Sequence, residues 1–248
     1  MELPLFPLHA VLCPGIVMPL HIFEDRYRAL TRHCIETGSP FGIVLIREGL
    51  EAGASPSLAV AEIREASRYA DGRYDLLVAG TGRFALEDVD VASAPYLVGT
   101  VTGLDDEVGD EDTAEKLSAA AVARFVKYLE LLRAREGEDG DVLDIRVELE
   151  TRDTPLGDLD ADLEPSAEEL EEVEQTIEPR LLIPDDPTTL SYLLSGIVQV
   201  ELPRRQALLE AETTVERLVH LLALLDREIL LLRRRLRIFT PDLGSRAG

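Results

Sequence analysis

Short apolar runs bounded by proline, glycine and polar residues fill much of the first hundred positions, with strand-like alternation at Phe84 and Leu86, and a helical period recurs at 112–135 and beyond 186. Prolines at 4, 7, 14 and 19 punctuate the first apolar run. Proline has no N–H and a fixed φ, so it favours strand starts, edges and bends. Leu3, Leu5 and Leu8, with Phe6 between them, read as a short edge strand. Pro14-Gly15 signals a turn, and Ile16 to Leu20 read as a second strand. From Phe23 the period becomes helical: Phe23, Tyr27, Leu30 and Ile35 share one face, and Gly38 is the expected stop. Short strands follow at 41–46, within 57–70, and at 73–78, 83–91 and 94–101. Ala79-Gly-Thr-Gly82 reads as a hairpin connection between the third and fourth of these. Closely spaced short strands of this kind predict a small barrel or sandwich.

Helical spacing returns at 112–135, with Leu117, Ala121, Phe125, Tyr128 and Leu132 on one stripe and Gly137 beyond it. Residues 136–186 are rich in Gly, Asp and Glu and broken by prolines. They read as an acidic, partly disordered insertion, with 144–151 a candidate strand and 166–176 a candidate short helix begun by Ser166. Asp186-Pro187 opens a final helical section. An apolar helix follows Thr188 and Thr189, a shorter one follows Leu202-Pro203, and a long one begins at Thr213 or Thr214. The seam of the long helix is Val215, Leu218, Leu222, Leu225, Ile229, Leu232 and Leu236. The 229–232 run makes it apolar nearly all round, which predicts burial. The expected division is a β module at 1–104 and a helical module at 105–248.

Charge changes the picture regionally. The 248-residue chain has a net charge of −23, and residues 105–178 alone hold 26 Asp and Glu against 7 Arg and Lys. Such a chain repels phosphate backbones, and Arg233, Arg234, Arg235 and Arg237 suit a helix C-terminus better than nucleic acid. No apolar run approaches the ~20 residues that span a bilayer, and the N-terminus lacks a signal-peptide pattern, so a cytoplasmic protein with no membrane partner is expected. Cys13 and Cys34 form no CxxC pair and read as small buried side chains.

Little in the chain carries covalent chemistry. Neither lysine, Lys116 or Lys127, follows a glycine in a phosphate-binding loop. No HExxH is present, His9, His21, His33 and His220 are scattered, and Ser195-Gly196 lies within an apolar helix. No catalytic residue, metal or cofactor is expected. The segment from Pro19 to Tyr27 has two readings: core and surface ion pairs, or the rim of a groove for an extended polypeptide.

The opening residues also carry a resemblance. Leu3-Pro-Leu-Phe-Pro-Leu8, Val11-Leu-Cys-Pro-Gly15 and Met18-Pro-Leu-His-Ile-Phe-Glu-Asp-Arg-Tyr-Arg28 are similar to the start of the substrate-binding domain of the ATP-dependent Lon proteases. Gly80-Thr-Gly-Arg-Phe84 and Pro95 to Val101, with Asp105-Asp-Glu after it, resemble later strands of that domain. Asp186-Pro187, Leu190-Ser191, Arg205-Gln206, Leu208-Leu-Glu210, Glu216-Arg-Leu218 and Arg227 to Leu231 resemble its helical half in order. The likeness spans 1–103 and 186–235; the acidic stretch between is the departure. It implies an α+β fold, a small PUA-like β-barrel with one helix followed by a C-terminal helical bundle with a long last helix.

The resemblance further implies a non-catalytic, stand-alone polypeptide-recognition module, without the ATPase and protease. Its expected partners are unfolded polypeptides or degron-bearing proteins and a separate ATP-dependent protease, with no nucleic acid. Pro19, His21, Phe23, Glu24, Arg26, Tyr27 and Arg83 are the candidate binding residues. An RNA-binding PUA-like protein, a hydrolase with an unrecognised site, and a homodimer through 214–238 are the alternatives.

Overall fold

In the computed structural model, residues 1–46, 58–136, 146–149 and 180–239 are described. The elements run β1 (Glu2–Leu8), β2 (Val17–Ile22), α1 (Asp25–Thr37), β3 (Phe41–Leu45), β4 (Leu58–Arg68), β5 (Tyr74–Asp90), β6 (Leu97–Leu104), α2 (Glu111–Glu136), β7 (Arg146–Leu149), β8 (Arg180–Ile183), α3 (Pro187–Ile197), α4 (Leu202–Glu210) and α5 (Thr214–Phe239). The chain is therefore α+β. It divides into one unit of 1–121 with 187–224 and a second of 122–186 with 225–248, with the boundary falling within α2 and α5.

In the first unit the sheet order is β2-β5-β4-β3-β1-β6, and β5 also pairs with β6. The pairings β1–β3–β4–β5–β6–β1 thus close a circuit, with β2 attached to β5 outside it. The 17 residues of β5 make this closure: its N-terminal half lies between β2 and β4 and its C-terminal half joins β6, with bulges at Val60/Ala61, Ile63/Glu65 and Leu86/Asp88 re-aiming the strands.

Two sequence expectations are corrected here. β1 is not an edge strand: β6 pairs it antiparallel over Glu2–Leu5 and β3 pairs it parallel over Leu5–Leu8. Pro4 and Pro7 each fall where only one neighbour is present, so neither costs a ladder hydrogen bond on both sides. Ala79–Gly82 is not a hairpin turn but the middle of β5. Gly80 is there because the 13–16 loop lies on it: Gly15 N–H donates to Gly80 O and Gly80 N–H to Ile16 O, both 2.9 Å. The turn that joins β4 to β5 is Tyr69–Arg73, closed by Tyr69 N–H on Arg73 O (2.9 Å) and by Gly72 at φ +87°, where a side chain would be strained.

α1 ends as expected, on Gly38 in the left-handed region at φ 66°. Its buried face is Tyr27, Leu30, Thr31 and Cys34, the i, i+3, i+4, i+7 pattern. Phe23 lies before the N-cap Glu24 and is 63% exposed, and Ile35 is 46% exposed, so neither belongs to that face. The core formed with the sheet contains Phe6, Leu12, Ile22, Phe41, Val78 and Tyr192, and a second cluster holds Leu3, Leu5, Leu58, Phe84 and Val101.

The start of α5 follows the expected capping logic. Thr213 Oγ1 accepts from Glu216 N–H (3.1 Å) and the Glu216 carboxylate accepts from Glu212 N–H (2.9 Å), so orphan donors of the first turn are satisfied. Of the expected seam, Leu218, Leu225, Ile229 and Leu232 are buried, but Val219 and Leu230 are about half exposed: α5 keeps an open face and is not buried all round. In the second unit, β7 and the unforeseen β8 pair in parallel, Arg146 opposite Arg180 through Leu149 opposite Ile183. The expected helix at 166–176 and most of the acidic insertion lie outside the described residues.

Both cysteines are buried, and burial pushes each thiol up to about 11. The folded protein is expected to resist iodoacetamide at pH 8 and to alkylate at both positions once unfolded, checked by mass spectrometry. Because the folded thiols titrate above unfolded ones, this contribution to stability is complete below pH ~8.5 and is lost as pH rises toward 11. Fast alkylation of the folded chain would contradict the burial.

Candidate functional site

β2 presents its residues alternately to the core and to solvent. Ile22 is buried and Met18 and Leu20 are half-buried, while Val17, Pro19 and His21 face outward, and Phe23 continues the period two beyond the strand. Val17 is 51% and Phe23 63% exposed. Outward rows cross the sheet: Pro19 stands beside Leu77, which stands beside Glu65, and His21 beside Asp75, which stands beside Ser67. Among the described residues β2 pairs with β5 alone, so its other edge offers backbone groups to an extended chain.

Side chains from three segments converge on His21. Its ring is stacked near Phe23, centroids 6.2 Å apart at 26°, and meets Tyr69 edge-on at 6.3 Å. Asp75 accepts from His21 Nδ1 at 2.5 Å and from the Tyr69 hydroxyl. Arg73 lies 5.4 Å over the Tyr69 ring, with Nη1 3.4 Å from His21 Nε2 and Nε 2.7 Å from Asp71. The hydrogen bonds from Tyr69 and then His21 hold the Asp75 carboxyl below the usual range, and the same bond raises the Tyr69 phenol. Backbone and side-chain donation by Arg73 lowers Asp71. The result is an exposed aromatic row, Phe23–His21–Tyr69, whose polar atoms are tied to one another and whose faces remain open.

The structure distributes the seven sequence-predicted residues in three ways. Pro19, His21 and Phe23 lie together on the open face. Glu24 and Arg26 pair with each other at 2.8 Å beside it. Tyr27 and Arg83 are core residues: Tyr27 packs on Phe6 with centroids 4.3 Å apart and carries the Arg26 guanidinium 4.5 Å over its ring. Tyr69, Arg73 and Asp75 were missed. The signal for them was the alternation in Arg73-Tyr-Asp-Leu-Leu, which marks Arg73, Asp75 and Leu77 as one face; that this face borders β2 follows only from the strand register.

Arg83 belongs instead to a buried polar cluster that also explains Arg217. Arg83 is 4% exposed and Arg217 fully buried. Arg83 donates to the carbonyls of Leu209 (2.9 Å) and Ala211 (2.8 Å), and Arg217 to those of Leu208 (3.0 Å) and Ala211 (3.2 Å). These are the last carbonyls of α4, which lack helical partners and carry the negative end of its dipole. Asp106 forms an ion pair with Arg83 at 2.7 Å and lies 3.7 Å from Arg217. The Tyr192 hydroxyl also donates to Asp106, and its ring sits 3.8 Å under the Arg217 guanidinium. Desolvation lowers Arg217, and burial raises Tyr192. These groups fasten β5 and the β6 exit to α3, α4 and α5, with both guanidiniums buried and Asp106 at the partly exposed rim.

Among the described residues no group of three His, Cys, Asp or Glu can hold a metal, and no helix is long and apolar enough to cross a membrane.

The family model for the ATP-dependent protease La (LON) substrate-binding domain matches residues 2–227, and the chain belongs to that family. It is 28% identical over 232 residues to Lon protease 2 of Myxococcus xanthus, covering 91% of this chain and 24% of that one. It is 31% identical over 105 residues to a Lon protease of Amoebophilus asiaticus (strain 5a2), covering 40% and 13%. The chain thus spans about a quarter or less of these curated relatives. Among solved structures it is similar to a Lon N-terminal domain protein from Xanthomonas campestris (TM-score 0.55, 26% identity, 90% of this chain and 98% of that chain). The N-terminal domain of the Mycobacterium avium complex Lon protease shares its fold (TM-score 0.57, 19% identity, 91% and 98%).

Proposed function

We infer that the chain is a non-catalytic module that captures extended segments of unfolded or degron-bearing proteins and serves an ATP-dependent protease as a substrate-recognition element. The observation that carries this reading is the outward row of Val17, Pro19, His21 and Phe23, with Tyr69 beside it, along the open edge of β2. An extended segment laid there gains main-chain hydrogen bonds from the edge and apolar contact from alternate side chains. Pro19 removes one donor, which discourages indiscriminate strand pairing while leaving the apolar row available. The closed circuit of strands, read as a small barrel, supplies the rigid support. A net charge of −23 opposes nucleic acid as the ligand.

The test is fluorescence anisotropy with a permanently unfolded polypeptide and a folded control, without nucleotide. The expected result is selective binding without cleavage. Phe23→Ala removes an exposed aromatic face, so the fold stays intact by circular dichroism and affinity falls about five- to thirtyfold, roughly 1–2 kcal/mol. Binding that is unchanged in Phe23→Ala would place recognition elsewhere, and no binding to any unfolded chain would sink the reading.

A further inference from the structure

In an antiparallel ladder the backbone groups of successive residues point alternately to the two sides of the strand. One hydrogen bond and the register assign a side to each residue of β2. Gly80 N–H donates to Ile16 O at 2.9 Å, and Val17 stands opposite Ala79, so Ile16 and Gly80 face one another. Met18, Leu20 and Ile22 then turn their N–H and C=O groups to β5. Val17, Pro19 and His21 turn theirs to the open edge. Pro19 agrees with this assignment, because its missing N–H falls where β5 needs no donor. The edge therefore offers the carbonyls of Val17, Pro19 and His21 but only the N–H groups of Val17 and His21. The side chains of the same residues are exposed on the outward face.

We propose that the captured segment pairs with this edge as a strand, that the edge reads main-chain donors at every second residue of the segment, and that proline is admitted only at the residues between them. This rests on the reading of the β2 row as the binding surface, and it names the class of segment taken there: extended, apolar, with its prolines all in one alternate set. A guest strand turns its N–H groups alternately toward the edge and away from it. The carbonyls of Val17, Pro19 and His21 each take one donor, from guest residues two apart. Proline at such a residue removes the donor and sets its ring against β2. One residue along, the same proline faces away and costs no bond. Prolines two or four apart can all face away, whereas prolines one or three apart cannot do so in any register. Pro19 itself is edge-facing, so the β2 edge of a second copy is a strand of the excluded kind. β2 is thus a poor partner for itself, and its edge stays free for a foreign chain.

The test uses the full chain and a labelled peptide in which apolar residues alternate with serine, so that a slip of one residue would turn serine to the row. Two isomers carry a pair of N-methyl groups each, which remove main-chain donors and keep the side chains. One isomer is methylated on two apolar residues two apart, the other on two serines two apart. One isomer is expected to bind as the unmethylated peptide does and the other about tenfold more weakly, for two lost hydrogen bonds. Weakening by the apolar pair marks an antiparallel guest and weakening by the serine pair a parallel one. On the protein side, Pro19→Val supplies the missing donor and keeps an apolar side chain; with an unchanged circular dichroism spectrum it is expected to bind the unmethylated peptide about threefold more tightly. Equal affinities of the two isomers overturn the proposal, and with Phe23→Ala still weakening the unmethylated peptide they leave the row as the binding surface. A Pro19→Val protein that binds no more tightly than wild type contradicts the edge-facing position of Pro19. Absence of binding by the unmethylated peptide removes the surface and the proposal with it.

Discussion

Asp106→Ala is expected to cost about 3–5 kcal/mol of folding stability, because it leaves buried guanidinium charge without its carboxylate. Asp106 is the acid within ion-pair distance of both Arg83 (2.7 Å) and Arg217 (3.7 Å). The α4 carbonyls compensate part of the charge, but a helix C-terminus supplies only about half an elementary charge, against two guanidiniums. The loss also frees the Tyr192 hydroxyl, whose partner is Asp106. Urea unfolding is the measurement, read as a lower midpoint at unchanged slope. Asp106→Asn keeps acceptor geometry without charge and is expected to fall between alanine and wild type. Arg83→Met combined with Asp106→Ala is expected to cost less than the two changes summed, since the second removes a charge that the first has orphaned. A loss under about 1 kcal/mol for Asp106→Ala, within the range of exposed ion pairs, would show that the carbonyls alone hold both arginines.

This cluster marks where sequence reasoning stopped. Arg83 stood out in Gly80-Thr-Gly-Arg-Phe84, but its acceptors lie 126 and 128 residues away, and nothing local distinguishes a solvent-facing arginine from one that caps a distant helix. Features fixed within a turn or two were legible: Gly38 as the stop of α1, Pro187 at the start of α3, and Thr213 with Glu216 at the start of α5. The helical period of α1, extended one turn upstream, favours the core reading of Phe23; the N-cap at Glu24 breaks that period and turns Phe23 outward. The open row was legible as a stretch, from Pro19 to Phe23, but not as a surface. Tyr69, Arg73 and Asp75 join it through the registers of β5 against β2 and β4, and pairing between strands fifty residues apart is a tertiary property that alternation alone does not encode.

Gly80 and Gly82 separate the two readings of the Gly80-Thr-Gly82 stretch by experiment. Had it been a hairpin turn, alanine at either glycine would strain a turn. Neither has a positive φ, and their surroundings differ. A Cβ on Gly80 would lie 2.3 Å from the Cys13 carbonyl oxygen, and one on Gly82 would meet nothing within 4 Å. The obstacle at Gly80 is backbone, held by the Gly15 and Ile16 hydrogen bonds, so no rotamer relieves it and the 13–16 loop must lift from β5. Gly80→Ala is expected to lose about 3 kcal/mol, at the upper end of overpacking, whereas Gly82→Ala is expected to stay within about 0.5 kcal/mol of wild type. The effect should reach function as well. The 13–16 loop leads directly into β2, and a displaced β2 carries Val17, Pro19 and His21 away from Asp75 and Tyr69. Affinity for an unfolded polypeptide should therefore drop in Gly80→Ala under conditions where most of the protein is still folded, and remain at the wild-type value in Gly82→Ala. Equal losses of stability at the two positions would contradict the close approach of the loop, and full affinity in a folded but destabilised Gly80→Ala protein would show that the row does not depend on that loop for its geometry.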